Sequence, residues 1–324
     1  MTGITTTSEK RLVLISGRAH PELAEQVASE LGVELVPTSA YDFANGEIYV
    51  RFGESVRGCD AFVLQSHCAP INQWLMEQLL MVDACKRASV NRTSVIAPFF
   101  PYARRDKKHR GREPISARLV ADLYKTAGAD RLMSVDLHTS QIQGFFDGPV
   151  DHLWALPLLA DYVRTRVDRS RLTIVSPDAG RVRVADQWSD RLAAPLAIIH
   201  KRRDVNVPNQ VKIHEVVGDV RGRTCVLVDD MIDTAGTIVQ AAEALKENGA
   251  ADVIVTATHA VLSGPAVDRL KNSPISEVIV TDTLPIAEES RFPALTVLSI
   301  APLIARAIRE IFDDGSVTSL FEGS

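Results

Sequence analysis

Residues 224–237 read TCVLVDDMIDTAGT and carry the strongest structural signal in the chain. The apolar, β-branched run at 224–229 predicts a buried strand, and the acids Asp229 and Asp230 stand at its end. A loop of small residues follows and leads into a helix predicted at 237–248. Ligands of open α/β sheets bind where parallel strands end. The stretch therefore predicts an α/β sheet with a ligand site at its carboxyl edge.

The loop after these acids suits a phosphate group. It consists of Asp233, Thr234, Ala235, Gly236 and Thr237. Because the side chains are small, backbone N–H groups can wrap a phosphate at the start of the helix, and both threonine hydroxyls can donate. Asp229 and Asp230 suit sugar hydroxyls or a phosphate-bound cation. A purely structural helix cap is the alternative, because Asp-Thr-x-Gly turns often cap helices. The paired acids favour the sugar-phosphate site.

The alternation of strands and helices extends over most of the chain and predicts the fold class α/β, with mostly parallel sheets flanked by helices. Strands are predicted at 12–16, 61–65, 94–99, 131–137, 172–176, 196–200, 224–229, 252–258 and 277–281. Helices are predicted at 21–31, 115–127, 237–248 and 302–312, and a glycine follows each of the first three.

A chain of 324 residues is too long for one typical domain and fits two. Because no Gly/Ser-rich linker separates them, the border is inferred from the order of the elements. We predict a first domain at 1–155 and a second at 156–312. The tail at 313–324 has few apolar residues, and it either packs back on the first domain or extends freely.

Composition narrows the class of protein. Hydrophobic residues make up 46% of the chain and charged residues 24%, which excludes a disordered or fibrous protein. The net charge of −5 disfavours general nucleic-acid binding. A polar start and the absence of a long apolar run disfavour secretion and membrane spanning. Four cysteines without a CxxC pair indicate neither zinc nor disulfides. A cytoplasmic protein with no nucleic-acid and no membrane partner is predicted.

Two short basic runs stand out on this acidic chain. The first places six lysines and arginines within residues 104–112, and the second is the triplet Lys201, Arg202 and Arg203. A basic loop on an acidic protein often faces a compact anion such as a polyphosphate. A merely solvated loop is the alternative, and it would be favoured for either run taken alone.

The stretch at 224–237 resembles the phosphoribosyl-diphosphate motif of the type I phosphoribosyltransferase fold. PFFPYARRDKKHRGREPISA at 98–117 and SVDLHTSQIQGFF at 134–146 extend the resemblance to the class I ribose-phosphate diphosphokinases, also called phosphoribosyl pyrophosphate synthases. The likeness runs from about residue 12 to residue 321. It implies two phosphoribosyltransferase-like domains, the first contacting ATP and the second holding ribose 5-phosphate and a catalytic loop.

The resemblance also implies a reaction. The diphosphoryl group of ATP passes to the anomeric hydroxyl of ribose 5-phosphate, which gives phosphoribosyl pyrophosphate (PRPP) and AMP for nucleotide, histidine and tryptophan biosynthesis. The ATP contacts that it implies are Phe43, Asn45, Gly46, Glu47, Arg104 and Arg105. An aromatic ring with amide and carboxylate groups can read a purine, and guanidinium forks match phosphate oxygens.

Other roles follow from the same resemblance. His138 and Asp178 match ligands of Mg²⁺, which prefers oxygen ligands and would be held chiefly by the ATP phosphates. A hydrogen-bonded structural histidine is the alternative for His138. Lys201 and Arg203 match a catalytic pair on a mobile loop at 201–212. The ribose 5-phosphate contacts that it implies are Arg203, Asp229, Asp230, Asp233, Thr234, Ala235, Gly236 and Thr237.

Assembly and regulation are also implied by the resemblance. Its members are commonly homo-oligomers, often homohexamers, inhibited by ADP and activated by phosphate. The residues that match a regulatory site are Ser140, Asp151, Ser316, Val317 and Phe321. Related sequences often have two glycines where this chain has Gly180 and Arg181.

Two other classes of function stay open. One is a phosphoribosyltransferase that uses a purine or pyrimidine base, and release of AMP would distinguish the two reactions. The other is a non-catalytic regulator. The presence of His138, Asp178, Lys201 and Arg203 disfavours a regulator.

Overall fold

A computed structural model of the chain describes residues 10–202 and 213–321. These residues form two compact units. The first runs to Leu153 and resumes at Ala301, and the second spans Trp154 to Ile300. The sequence placed the first border after residue 155.

The first unit is built on a five-stranded parallel sheet. In chain order its elements are β1 (Leu12–Ser16), α1 (Pro21–Leu31), β2 (Thr38–Asp42), β3 (Ile48–Phe52), β4 (Asp60–Leu64), α2 (Ile71–Arg87), β5 (Arg92–Ile96), α3 (Ser116–Ala127), β6 (Arg131–Val135) and β7 (Val150–Leu153). The sheet has the order β1-β4-β5-β6-β7. β4 is buried along its whole length, as expected for a strand covered by helices on both faces. α1 begins at Pro21 and ends before Gly32, whose φ of 71° suits a helix C-cap.

The second unit is built on a seven-stranded sheet. Its elements are α4 (Leu156–Arg166), β8 (Leu172–Ser176), α5 (Val182–Leu192), β9 (Leu196–Arg202), β10 (Ile213–Val217), β11 (Thr224–Ile232), α6 (Gly236–Glu247), β12 (Asp252–Ala260), α7 (Ala266–Lys271), β13 (Glu277–Thr281) and β14 (Leu295–Leu298). The order is β10-β9-β8-β11-β12-β13-β14, and β10 pairs with β9 in the antiparallel direction. α6 buries Ile238 and Leu245 in the same core as Leu227 and Val255 of the sheet. The α/β class with mostly parallel sheets is confirmed.

Several elements are absent from the sequence-based prediction. They are β2, β3, β7, β10 and β14 among the strands and α2, α4, α5 and α7 among the helices. β2 and β3 form an antiparallel hairpin whose side chains are exposed or half-buried. Ala40, Val50 and Phe52 pack against the core but are only partly buried, so the apolar signal of the hairpin is weak.

The last helix, α8 (Ala301–Phe312), belongs to the first unit. Its apolar face packs against α1, and Arg309 Nη2 donates to the Leu31 carbonyl at the end of α1 (3.0 Å). The sequence grouped this helix with the second domain. The following segment up to residue 321 also lies on the first unit, where Asp314 pairs with Lys10 Nζ (2.9 Å) and Arg92 Nη1 (3.1 Å).

Within residues 10–202 and 213–321, no helix combines the length and the apolar character needed to cross a bilayer.

A buried polar cluster joins the first sheet to α2 and α3. The Nδ1 atom of His67 donates to the Phe99 carbonyl (3.2 Å), and its Nε2 lies 3.2 Å from the Tyr124 hydroxyl. That hydroxyl donates to Gln78 Oε1 (2.7 Å), and the Gln78 amide in turn donates to carbonyls of β4 and β5. Burial lowers the pKa of His67 to about 4, so the ring is neutral at physiological pH.

The neutral His67 predicts an acid-dependent loss of stability. An exposed histidine in the unfolded chain takes up a proton below about pH 6.5, whereas folded His67 does so only near pH 4. The unfolded state therefore gains protons first as the pH falls, which lowers the free energy of unfolding by about 2 kcal/mol at pH 5. His67→Gln removes this contribution. We expect the stability difference between the native chain and the variant to shrink by that amount from pH 7.5 to pH 5.

Denaturant unfolding at the two pH values measures the effect. His109→Gln, which alters an exposed histidine of the basic loop, is the control. A stability difference that stays constant with pH would show that His67 is not the responsible group.

Candidate active site

The second unit brings three predicted segments to one sheet edge. The adjacent parallel strands β9, β8 and β11 end on the same side. Lys201 lies near the end of β9, Asp178 follows β8, and the acid pair lies near the end of β11. Sheet topology thus gathers residues that are up to 52 positions apart in sequence, from 178 to 230.

The strand that carries the acids is longer than predicted. β11 continues to Ile232 because it pairs with β12 as far as Ala260. Asp229 and Asp230 therefore lie within the strand and not at its end. Their side chains are mostly buried, with exposed fractions of 17% for Asp229 and 7% for Asp230. Two buried carboxylates at one place require a nearby counter-charge or hydrogen-bond donors.

Arg181 supplies that counter-charge. Its Nε atom lies 3.0 Å from Asp229 Oδ1, and its Nη2 atom lies 2.5 Å from Asp230 Oδ1. The backbone N–H of Asp230 also donates to Asp229 Oδ1 (2.8 Å). Burial and the neighbouring charge of Asp230 raise the pKa of Asp229 well above its ordinary value, and Arg181 opposes that rise. One guanidinium therefore joins both acids.

The small-residue loop is held from one side. The backbone N–H groups of Leu262 and Ser263 donate to the carbonyls of Ile232 and Asp233, both at 2.9 Å. Arg269 Nη1 donates to the Thr234 carbonyl at the same distance. Three successive carbonyls are thus engaged by the segment that leads into α7 and by α7 itself.

The loop then turns sharply into α6. Ala235 adopts a left-handed conformation with φ of 58°, and α6 starts at Gly236. A β-carbon on Gly236 would lie 3.3 Å from Arg269 Nη1, so a larger residue there would press on the guanidinium that supports Thr234. Since the first N–H groups of a helix lack partners within it, this turn can bind an anion.

Asp178 begins the short turn that delivers Arg181. Its Oδ1 accepts from the Gly180 N–H (2.8 Å), and its carbonyl accepts from the Ser176 hydroxyl (2.7 Å). The carboxylate is half-buried at the sheet edge. Asp178 and Arg181 therefore share one turn after β8.

The predicted catalytic loop is described only where it begins. The Lys201 backbone lies in β9, in register with His214 of β10. Arg203 and the rest of the segment at 203–212 lie outside the described residues.

The first unit places the first basic run beside His138. That run follows β5, and His138 follows the neighbouring strand β6. Asp106 lies within the run and is only 4% exposed. Its Oδ2 accepts from the Thr139 hydroxyl (2.8 Å) and from the Gln141 amide. Arg104 and Arg105 are exposed on the same loop. A buried acid thus ties the basic loop to the segment after His138.

The predicted base-binding residues share the hairpin turn. Phe43 N–H donates to the Glu47 carbonyl (2.7 Å), and Asn45 Oδ1 accepts from the Glu47 N–H (3.1 Å). Gly46 has a φ of 88°, which a glycine adopts without strain. The Phe43 ring is 47% exposed and meets the Tyr41 ring edge-on at 5.4 Å.

Arg18 anchors this hairpin to the core. Its Nη2 atom lies 2.6 Å from Asp42 Oδ1 at the base of the turn, and its Nε atom lies 2.5 Å from Glu77 Oε2. Glu77 is fully buried on α2 and also accepts from the Gln65 amide (2.9 Å). Gln73 Nε2 donates to the other Asp42 oxygen (2.9 Å). The turn is therefore held by polar contacts at its base.

The predicted metal ligands lie in different units, His138 in the first and Asp178 in the second. In the part of the chain that the structure describes, no three histidine, cysteine or acidic side chains cluster as a metal centre.

Three of the predicted regulatory residues, Asp151, Ser316 and Val317, line a cavity of about 360 Å³ in the first unit. Ser140 begins a short 3-10 helix after β6, and Phe321 follows a 3-10 helix after α8. Arg131 donates to both Asp151 oxygens (2.9 and 2.7 Å), yet burial has the larger effect and raises the pKa of that carboxyl.

Sequence reasoning assigned no role to Arg181, Arg269 or Asp106. Each acts through a partner more than 30 positions away, so no local spacing indicates the contact. In the sequence, Arg181 stands out only as a departure from the two glycines that the resemblance implies at positions 180 and 181.

Comparison with known proteins gives matches along the chain. A model of the N-terminal domain of ribose phosphate pyrophosphokinase matches residues 12–128, and a model of the phosphoribosyl synthetase-associated domain matches residues 204–322. A ribose-phosphate pyrophosphokinase from Streptomyces coelicolor is 73% identical over 322 residues, 99% of each chain. One from Mycobacterium leprae is 64% identical over 319 residues, 98% of each chain. The crystal structure of phosphoribosylpyrophosphate synthetase from Mycobacterium smegmatis, 64% identical, matches with a TM-score of 0.90 over 94% of this chain and 100% of that chain.

We expect the ion pair between Arg18 and Asp42 to stabilise the hairpin of β2 and β3 against local opening. Both side chains are partly exposed, so the pair contributes at most about 1 kcal/mol. Asp42→Asn removes the charge of Asp42 and leaves the pair between Arg18 and the buried Glu77 in place. We expect hydrogen exchange of the amides at 38–52 to accelerate by up to about fivefold, while the β4 and β5 amides keep their rates. Asp83→Asn is the matched control, because it removes an exposed 2.6 Å ion pair within α2. Equal exchange in both variants would show that Asp42 does not anchor the hairpin.

Proposed function

The chain belongs to the ribose-phosphate pyrophosphokinase family and is an enzyme of PRPP synthesis, and from that premise we propose that it transfers the diphosphoryl group of ATP to the anomeric hydroxyl of ribose 5-phosphate and releases AMP. The observation that carries the proposal is the buried acid pair on β11, followed by a loop at the start of α6 whose carbonyls are held by α7 and the segment before it. The product would serve nucleotide, histidine and tryptophan biosynthesis.

The acceptor would bind along the end of β11. Carboxylates of Asp229 and Asp230 accept hydrogen bonds, so they suit two sugar hydroxyls. The 5-phosphate would lie on the turn from Asp233 to Thr237, where N–H groups at the start of α6 and the threonine hydroxyls donate. The two subsites adjoin each other in the chain, on the end of one strand and the turn that follows it, as the two ends of one sugar phosphate require.

ATP would bind to two segments of the first unit, the turn between β2 and β3 and the basic loop at 104–112. The exposed face of Phe43 offers a stacking surface for adenine, and Asn45 with Glu47 offers polar groups for its edge. Arg104 and Arg105 would meet the phosphates, because planar guanidinium groups match phosphate oxygens in bidentate geometry.

The reaction would proceed by in-line displacement at the β-phosphorus of ATP. The anomeric oxygen forms a bond to this phosphorus and gives up its proton to water, and the bond from the phosphorus to the α-phosphate oxygen breaks to release AMP. Negative charge gathers on the transferring group, so fixed cations stabilise the transition state more than the ground state. Lys201, Arg203 and Arg104 would supply this charge. The contacts of Asp229 and the phosphate loop would hold the attacking hydroxyl in line.

We further propose that Mg²⁺ is required. His138 and Asp178 would contribute ligands to an ion held mainly by ATP phosphates, and the ion would neutralise part of their charge. The half-buried carboxylate of Asp178 at the sheet edge fits this role, since carboxylate oxygen is a preferred ligand of the ion.

Assembly, location and regulation complete the proposal. We propose a cytoplasmic homo-oligomer, a homohexamer by its resemblance, that binds ADP or phosphate as regulators. The cavity lined by Asp151, Ser316 and Val317 also contains Arg92 and Arg131. These guanidinium groups pair with Asp314 and Asp151, which also line the cavity, so an anionic regulator would compete with the two acids for them.

One coupled assay tests the reaction. Purified protein with ATP, ribose 5-phosphate and Mg²⁺ is expected to form AMP and PRPP in equal amounts, and omission of any one component is expected to stop AMP formation. A purine or pyrimidine base should have no effect on the rate. ATP that stays intact in the complete mixture would refute the proposal, and base-dependent consumption of PRPP would identify a phosphoribosyltransferase instead.

Lys201→Ala tests the catalytic role of the loop. Removal of one transition-state donor is expected to lower kcat by about two to three orders of magnitude, with a much smaller change in KM for ATP. Lys246→Ala is the matched control. Lys246 is an exposed lysine at the C-terminal end of α6, away from the proposed phosphate loop at the start of that helix, and it donates to the Ala251 carbonyl. Steady-state kinetics of both variants measure the effect. Nearly normal turnover in Lys201→Ala would remove this lysine from the mechanism.

A further inference from the structure

The positively charged side chain of Arg181 lies against the acid pair of the second unit, Asp229 and Asp230. The Arg181 guanidinium touches both carboxylates, through Nε to Asp229 (3.0 Å) and through Nη2 to Asp230 (2.5 Å). Only 15% of the arginine side chain is exposed. With both acids ionised, the three groups form a mostly buried unit with a net charge of −1 in place of −2.

This net charge decides which ligands the acids can take. Two neighbouring carboxylates without a counter-charge are good ligands for a hard divalent cation. A fixed guanidinium within 3.0 Å of both oxygens repels such a cation strongly, because the site is largely removed from solvent screening. Neutral hydroxyl groups meet no such repulsion, and a carboxylate that already accepts from an arginine keeps further acceptor capacity.

The geometry also fixes the orientation of the acids. The guanidinium is planar, and its Nε and Nη2 donors point in fixed directions, so the two Oδ1 atoms that they contact are held at a defined separation. The Asp230 N–H holds Asp229 Oδ1 from a second side (2.8 Å). The arginine itself is delivered by the short turn that Asp178 caps after β8. The orientation of the acids on β11 thus depends on the neighbouring strand.

We propose that Arg181 is a positioning residue that reserves Asp229 and Asp230 for the neutral hydroxyls of the sugar substrate and excludes divalent cations from them. The assignment of the hydroxyls rests on the proposed function. The exclusion of cations does not, and it can be measured without any substrate.

Mn²⁺ binding to the substrate-free protein at pH 8, followed by the loss of the free-ion electron paramagnetic resonance signal, tests the exclusion. Arg181→Met is expected to bind one more Mn²⁺ per chain than the native protein. The dissociation constant of Mn²⁺ at the acid pair is expected to be at least tenfold lower in the variant than in the native protein. The double variant Arg181→Met with Asp230→Asn is expected to lose that site. Arg181→Lys keeps the charge and is expected to exclude the ion. Should the methionine variant fail to fold, Arg181→Gln carries the same measurement.

Unchanged Mn²⁺ binding in Arg181→Met would overturn the proposal, and so would an added site that persists in the double variant.

Steady-state kinetics test the part of the proposal that concerns the sugar substrate. KM for ribose 5-phosphate is expected to rise at least tenfold in Arg181→Lys, because the fork is lost while the charge remains, whereas KM for ATP is expected to stay within twofold. Equal changes in both KM values would reduce Arg181 to a structural role. A native protein without turnover would refute the proposed function and leave the metal measurement valid.

Discussion

Parallel strand pairing is the constraint on which the second unit depends. β9, β8 and β11 run in the same direction and lie side by side, so their carboxyl ends meet at one edge. Each of these ends carries a polar segment that would be costly to bury within the sheet. The acids of β11, the turn with Asp178 and the backbone at Lys201 are therefore neighbours because of topology, although they are distant in sequence.

Burial of the acid pair then sets the charge balance of this edge. Asp229 and Asp230 lie within β11, where apolar neighbours raise the cost of two negative charges. Arg181 offsets that cost from the neighbouring turn, and Arg269 fixes the loop beyond the acids from α7. The strand supplies the functional groups, while arginines from two other elements set their charge and position.

The sequence predicted the features that leave a local pattern. Buried parallel strands such as β8 and β13 were found at their observed bounds, because a continuous apolar run is a strong signal. The hairpin of β2 and β3 was missed because its side chains are at most half-buried, so no continuous buried run marks either strand. The ion pair of Arg181 with the acids spans 49 positions between residues 181 and 230, so no spacing rule could predict it. The return of α8 to α1 depends on the shape of an apolar face and is likewise invisible in local periodicity.

The two loops of the first unit that carry the proposed nucleotide contacts share one mode of support. A single acid near the base of each loop accepts hydrogen bonds from a neighbouring segment, Asp42 for the hairpin and Asp106 for the basic loop. The tips themselves, with Phe43 and the arginines, stay exposed. Apolar side chains also hold the start of the basic loop, where Phe100 is 1% and Ala103 is 4% exposed, but an apolar anchor nearer the tip would take the tip itself out of solvent. A polar contact at the base fixes the position of a loop while its tip stays open to a ligand, which explains why carboxylates occur at these two places.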